Sequence, residues 1–202
     1  MEENIKMGKV PSWFKQDYEP IIDNSIELNK LKEYIGVGRP LMLAPTMDYH
    51  KTLWGLSLAN SLINDGKIVK YISLYDTAED TKAILDEYHW KFSSMELIDN
   101  FFVKVSNVKD IFEILKNEKP RVVLIDCIDK RFNFVDNYDD FRKILEEFYM
   151  TSLKYNISIV VMSGIWPDFA VKHMKDMGLY FSNMLSLRDA NMVEIKPYII
   201  QS

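Results

Sequence analysis

The sequence predicts an α/β protein, a three-layer α/β/α sandwich built on a mostly parallel sheet. Two observations support this class. Several short segments are apolar at nearly every position, which is typical of parallel strands buried on both faces. These segments alternate with longer amphipathic segments, as strands and helices do in a sheet that helices cover on both sides.

The first half of the chain contains three predicted helices and two predicted strands. Ser25 can cap a helix over Ile26–Ile35, which the glycines at 36 and 38 end. The elements that follow are a strand at Pro40–Ala44, a helix at Lys51–Asp65, a strand at Ile68–Leu74 and a helix from Thr77 to about Trp90.

The second half continues the alternation and then changes it. Its elements are a strand at Phe101–Val105, a helix at Val108–Asn117, a strand at Arg121–Asp126, a helix at Tyr138–Tyr155 and a strand at Ile157–Ser163. Two short strands follow near Asn183–Leu187 and Met192–Ile200. The polar residues between them predict an antiparallel hairpin that closes the sheet.

The sequence predicts an N-terminal arm at residues 1–22 and a single domain at residues 23–202. The arm carries two prolines and the aromatic residues Trp13, Phe14 and Tyr18. These aromatics would suit docking on a neighbouring molecule, and they would equally suit packing on the chain's own core.

Composition limits the class of protein. With 202 residues and 48% apolar residues, one domain can bury roughly 70% of its unfolded surface. A net charge of −5 argues against a generally basic nucleic-acid coat protein. The single cysteine, Cys127, excludes an internal disulfide and indicates a reducing compartment. We see no membrane-spanning run or secretory signal and expect a cytoplasmic protein.

The most informative segment is Leu41–Thr52, which reads LMLAPTMDYHKT. A strand, a short loop, Lys51-Thr52 and a helix form the layout of a phosphate-binding loop, G-x-x-x-x-G-K-S/T. Pro45 and His50 replace both glycines. Proline has no N–H to donate, and the imidazole fills space that the phosphates need. The segment predicts a nucleotide-binding fold whose nucleotide chemistry is altered or lost.

Asp126 is the second candidate at this site, because it ends the buried strand VVLID. In phosphate-binding-loop proteins a carboxylate at this place orients the shell of Mg²⁺. The alternative is a carboxylate that caps a turn at the strand end. The candidate nucleotide-binding residues are therefore Lys51, Thr52, Asp126 and His50. A metal site of His50, Asp48 and Asp126 is conceivable, but the scattered histidines favour none.

From about Leu31 to Ile200 the chain resembles the RecA-like ATPases, and among them the DnaB-helicase and KaiC-like branch. The matching stretches are PLMLAPTMDYHKTLWGLSLANSLINDG, KIVKYISLYD, RVVLIDCID, ISIVVMSG and MLSLRDANMVEIKPYI. Their order and spacing fit the family. The resemblance implies a RecA-like sheet, with ATP and Mg²⁺ as the ligands of active members.

The departures from the family concern hydrolysis. Tyr75 occupies the position of the glutamate that activates water, and the adjacent Asp76 is predicted to face the opposite side. Gly164 follows Ser163 where a polar sensor is expected. Lys196 matches a finger lysine, but Tyr198 lies where the finger arginine belongs. Each missing group is worth orders of magnitude in rate, so we expect a pseudo-ATPase with no catalytic residues.

The segment after Asp126 is the candidate nucleic-acid contact. In RecA-like proteins the loops beyond this strand touch single-stranded DNA. Lys130, Arg131, Phe132 and Phe134 combine cations with aromatic rings, which is the chemistry of single-strand binding. The alternative is a surface loop anchored by two phenylalanines.

Three functions follow from these observations. The first is a non-catalytic RecA-like protein of DNA replication, recombination or repair, which forms oligomers with itself or with an active homologue. The second is a weak or unusual ATP-binding protein in which Lys51, Thr52 and Asp126 hold Mg-nucleotide. The third is a protein-interaction scaffold that never meets nucleic acid. The first function requires no cofactor and no association with a membrane.

Overall fold

The computed structural model of the chain describes residues 25–45, 48–87, 100–126, 138–162, 181–188 and 191–194. The helices in these ranges are α1 (Ser25–Glu33), α2 (Asp48–Asn64), α3 (Ala78–Glu87), α4 (Val108–Glu118) and α5 (Tyr138–Tyr155). The strands are β1 (Leu41–Pro45), β2 (Val69–Ser73), β3 (Phe102–Lys104), β4 (Val122–Asp126), β5 (Ser158–Met162), β6 (Asn183–Arg188) and β7 (Asn191–Glu194).

The strands form one sheet in the order β3-β2-β4-β5-β1-β6-β7. The six strands from β3 to β6 are parallel to their neighbours, with Met42 of β1 opposite Val161 of β5. The predicted α/β class with a parallel sheet is confirmed. β7 pairs antiparallel with β6 at one edge. The turn predicted between them includes residues 189 and 190, which lie outside the described ranges.

Helices cover both faces of this sheet. Successive residues of a strand point to opposite faces, so each strand contributes side chains to the packing on both sides. One face packs against α1, α2 and α3 and is formed by Leu41, Leu43, Val69, Tyr71, Val122, Leu124, Val160 and Met162. The other packs against α4 and α5 and is formed by Met42, Ile72, Val123, Ile125, Ile159 and Val161. All these strand residues are buried, which explains why the strands are apolar without alternation.

Local polar contacts decide where two helices begin. At α3, the Thr77 hydroxyl accepts the N–H of Asp80 at 3.1 Å, and the Asp80 carboxylate accepts the N–H of Thr77 at 3.0 Å. This reciprocal cap makes Thr77 the residue before the helix. At α4, the Asn107 side chain accepts the N–H of Asp110.

The helix that carries the phosphate-loop motif starts earlier than predicted. α2 begins at Asp48, whereas the sequence pattern predicts a start at Lys51. An acidic residue in the first turn is favoured by the helix dipole, and the earlier start brings His50 and Lys51 into that turn. The arm predicted at residues 1–22 lies outside the described ranges, and the single domain at residues 23–202 stays a prediction.

A buried serine joins α5 to two distant parts of the chain. The Ser152 hydroxyl accepts the N–H of Gly38 at 2.7 Å and donates to the carbonyl of Ile157 at 2.6 Å. Val37, beside Gly38, forms a bridge with Ser158 at the start of β5. These bonds hold the chain entering β1 against the C-terminal half of α5.

Among the described residues, no helix is both long enough and apolar enough to cross a membrane.

Gly55 brings α2 unusually close to the sheet. A β-carbon at this position would lie 2.5 Å from the sulfur of Met162 and 3.1 Å from Cε2 of Tyr71. Both neighbours are fully buried in the core on this face. A side chain at residue 55 therefore has to displace the end of the Met162 side chain and crowds the ring of Tyr71.

We expect Gly55→Val to lower the free energy of unfolding by about 1–3 kcal/mol, because three added carbons overpack the core. Gly36→Val is the matched control, since a β-carbon there meets nothing within 4 Å. The control should change stability by no more than about 0.5 kcal/mol. Urea denaturation measures both. A Gly55→Val protein as stable as the control would mean that α2 does not pack this closely.

Candidate functional site

The candidate site lies at the carboxyl edge of the parallel sheet, where β4 ends and α2 begins. The hydroxyl of Thr52 donates to Oδ2 of Asp126 at 2.8 Å, although the two residues are 74 positions apart. Parallel strands bring their carboxyl ends to one edge, and a helix that follows such a strand starts at that edge. The topology thus joins two of the residues that the sequence analysis selects.

Tyr71 is a second donor to the same carboxylate oxygen. Its hydroxyl lies 2.7 Å from Oδ2 of Asp126. Tyr71 and Asp126 point to the same face of the sheet, because β2 and β4 are neighbours in register with Tyr71 opposite Leu124. The tyrosine ring is fully buried and lies against the rings of Phe101 and Phe102, with centroids 5.7 and 6.1 Å away. The aromatic packing fixes where the hydroxyl points.

Asp126 is fully buried, and its two oxygens differ. Oδ2 accepts both hydroxyl bonds, whereas Oδ1 has no hydrogen-bond partner among the described residues. A buried carboxylate oxygen without a donor costs free energy, and such atoms are rare in folded proteins. Oδ1 is therefore the atom of this site that has capacity for a ligand or a water molecule.

Asp76 contributes a second carboxylate, contrary to the prediction that it faces away. Its Oδ2 lies 3.4 Å from the hydroxyl oxygen of Thr52. The prediction is wrong because β2 ends at Ser73, so strand alternation no longer applies at Asp76. The Ser73 hydroxyl accepts the N–H groups of Tyr75 at 3.1 Å and Asp76 at 2.8 Å. This turn directs Asp76 towards Thr52.

The arrangement is rich in acceptors. Thr52 has one hydroxyl hydrogen, and the shorter distance assigns it to Asp126 rather than to Asp76. Two carboxylates on either side of one hydroxyl suit a cation or a hydrated cation better than an anion. Within the described ranges, however, no group of three or more His, Cys, Asp or Glu side chains is placed to bind a metal.

Several predicted site residues are placed only partly. The backbone of His50 and Lys51 lies in the first turn of α2, but their side chains are not among those described. The same holds for Asp48, so the metal set of His50, Asp48 and Asp126 stays a prediction. The predicted nucleic-acid residues Lys130, Arg131, Phe132 and Phe134 lie outside the described ranges.

Tyr71 is the residue of this site that the sequence analysis misses. Its position inside an apolar strand favours a core residue, and its hydroxyl partner lies 55 residues away in the chain. One signal exists: a buried tyrosine hydroxyl needs a partner, and Asp126 is a polar residue that ends a neighbouring strand.

Comparison with protein families and with curated proteins finds no relative. No family model matches the chain. No curated protein matches it either.

We expect Tyr71→Phe to destabilise the protein by about 1–3 kcal/mol, since a buried carboxylate loses one of its two hydroxyl donors. The ring and its packing remain. Tyr149→Phe, the same change on the exposed side of α5, should alter the free energy of unfolding by at most about 0.5 kcal/mol. Equal stability of the two variants, measured in urea, would show that the Tyr71 hydroxyl does not support Asp126.

Proposed function

We propose that this chain is a non-catalytic RecA-like protein of DNA replication, recombination or repair. It keeps the fold of an ATPase, with the C-terminal strands as a closing hairpin, and lacks ATP hydrolysis. It acts by assembling with copies of itself or with an active homologue. The proposed function includes binding to single-stranded DNA.

One observation carries the proposal: the direct contact between Thr52 and Asp126 beside Tyr71. In an active site of this family, a threonine and a carboxylate at these places hold the Mg²⁺ shell. Here two hydroxyl groups occupy Oδ2 of Asp126 at 2.8 and 2.7 Å. A cation at that oxygen would have to displace at least one of them.

The residues around this contact support an absence of hydrolysis. Pro45 ends β1 without an N–H for a phosphate, and His50 lies in the helix turn where the second glycine belongs. Tyr75 takes the position of the water-activating glutamate, and its side chain is 59% exposed. None of these three residues supplies what phosphate binding or water activation requires.

The DNA part of the proposal depends on the resemblance and on the segment after β4. Lys130, Arg131, Phe132 and Phe134 offer cations for phosphates and rings for base stacking. The net charge of −5 requires that such binding be local, because the protein as a whole repels a polyanion.

A second candidate function is Mg-nucleotide binding, and two atoms favour it. Oδ1 of Asp126 has no partner among the described residues, so it could accept a cation-bound water. Asp76, 3.4 Å from Thr52, is a carboxylate close enough to the site to act as a base. In this alternative, Lys51 and Thr52 hold the nucleotide, and Asp76 replaces the missing glutamate.

We expect millimolar Mg-ATP to leave the melting temperature unchanged and to be hydrolysed no faster than in buffer. A nucleotide at a hundred times its Kd would instead stabilise the protein by about 2.7 kcal/mol. Lys51→Ala is the control, because a shift that survives it does not come from this site. Hydrolysis at an ordinary helicase rate, abolished by Asp76→Asn, would replace the first function with the second.

We expect the protein to bind a fluorescently labelled single strand with an affinity that falls as salt rises. Reversing Lys130 and Arg131 to Glu should weaken binding and reduce the salt slope by about 1 for each phosphate that the protein no longer neutralises. Reversing the exposed residues Lys109 and Lys116 of α4 is the charge-matched control. Equal weakening by both double variants, or no binding at low salt, would remove DNA from the proposal.

A further inference from the structure

Exposed apolar side chains gather on the outer side of α5. Met150 is 62% exposed and Leu153 is 49% exposed, and Tyr149 and Val37 beside them are also exposed. We call these four residues the α5 patch. It lies far from the candidate site, because Val37 adjoins the amino end of β5 whereas Asp126 ends β4 at the carboxyl edge.

The helix period explains why Met150 is the centre of the patch. Phe141, Leu145, Phe148 and Ser152 are buried and face the sheet. At 100° per residue, Met150 points almost directly away from this buried stripe. An apolar side chain at the most exposed line of a helix gains little from packing on the described part of its own chain.

The patch is held in place by contacts already described. A β-carbon at Gly38 would lie 3.8 Å from Cδ2 of Leu153 and from Cε2 of Tyr149, so the backbone beside Val37 packs on both. The Ser152 hydroxyl accepts the N–H of the same glycine at 2.7 Å. The backbone beneath this part of the patch is therefore fixed, and the ordering cost of binding falls on the exposed side chains.

Charges of opposite sign lie on either side of Met150. Glu147 precedes it by about one turn, and Lys154 follows it by about one turn on the same exposed side of α5. Within the described part of the chain, neither residue forms an ion pair with the other or with a third residue, and the Lys154 ammonium lies 5.2 Å from the centroid of the Tyr155 ring. Within one turn on either side of Met150, the exposed side is thus acidic, then apolar, then basic along the helix.

We propose that the α5 patch is the contact surface for a second copy of this chain, with the two α5 helices antiparallel across a twofold axis. The axis passes near Met150 and Thr151. Glu147 of each copy then lies against Lys154 of the other, and the two Met150 side chains pack together at the centre. A twofold contact makes each favourable pair occur twice.

The charge order favours a second copy over other occupants. An acidic peptide on this surface would meet Glu147, and a basic peptide would meet Lys154. A parallel pair of α5 helices would place like charges together. Only a partner with the reversed order satisfies both charges, and the antiparallel copy of α5 has that order. The inference rests on the proposed function in one respect, since it names the surface through which the proposed self-association would occur.

Sedimentation equilibrium of the full chain over a range of concentrations tests the inference. We expect a monomer–dimer equilibrium, which Met150→Glu shifts to monomer because it places two carboxylates at the axis. Glu147→Lys and Lys154→Glu should each raise the dimer Kd by about tenfold, equivalent to 1.4 kcal/mol. Each single change brings two pairs of like charges together.

The double variant Glu147→Lys with Lys154→Glu decides between this geometry and a general charge effect. It restores both pairs with their signs exchanged, so its Kd should return close to that of the wild type. Lys109→Glu, an exposed change on α4, is the control and should leave the Kd unchanged. A monomer at every concentration, or a dimer whose Kd does not respond to Met150→Glu and the charge changes, overturns the inference. ATP turnover would overturn the proposed function and leave this dimer intact.

Discussion

The burial of the Asp126 carboxylate is the constraint on which the rest of this molecule depends. A carboxylate removed from water is unstable unless donors surround it. Thr52 of α2 and Tyr71 of β2 supply those donors at 2.8 and 2.7 Å. The two bonds connect a helix and two neighbouring strands at one edge of the sheet. The same contact that stabilises the fold therefore also forms the centre of the candidate site.

Much of the fold could be predicted from the sequence, because apolar periodicity reports burial directly. α5 lies at Tyr138–Tyr155, the range that the pattern predicts, and the strands agree within a few residues where they are described. The candidate site was harder to predict from the sequence than the fold. Asp76 turns towards Thr52 because a Ser73 hydroxyl ends the strand, and the bond of Tyr71 spans 55 residues. Neither a hydrogen bond within a turn nor a hydrogen bond to a residue far along the chain produces a periodic pattern in the sequence.

Under the proposed function, the fold of this chain is retained while its chemistry has changed. The parallel sheet brings Thr52 and Asp126 into contact. Pro45 and His50 precede Thr52 at the positions where a phosphate-binding loop has glycines. A scaffold can keep its architecture while its reaction changes, because packing depends on volume and burial, whereas catalysis depends on a few polar atoms. Exchanging those few atoms therefore leaves the sheet and its helices in place.

Ser152 restricts which side chains can replace it at the end of the sheet opposite the candidate site. Its hydroxyl accepts from Gly38 and donates to Ile157, and it has no exposure to solvent. Among small side chains, only a hydroxyl can do both. Alanine would leave both partners without this bond. Threonine also carries a hydroxyl on its β-carbon, but it adds a methyl group to a fully buried position, so both bonds and the packing are satisfied together by serine.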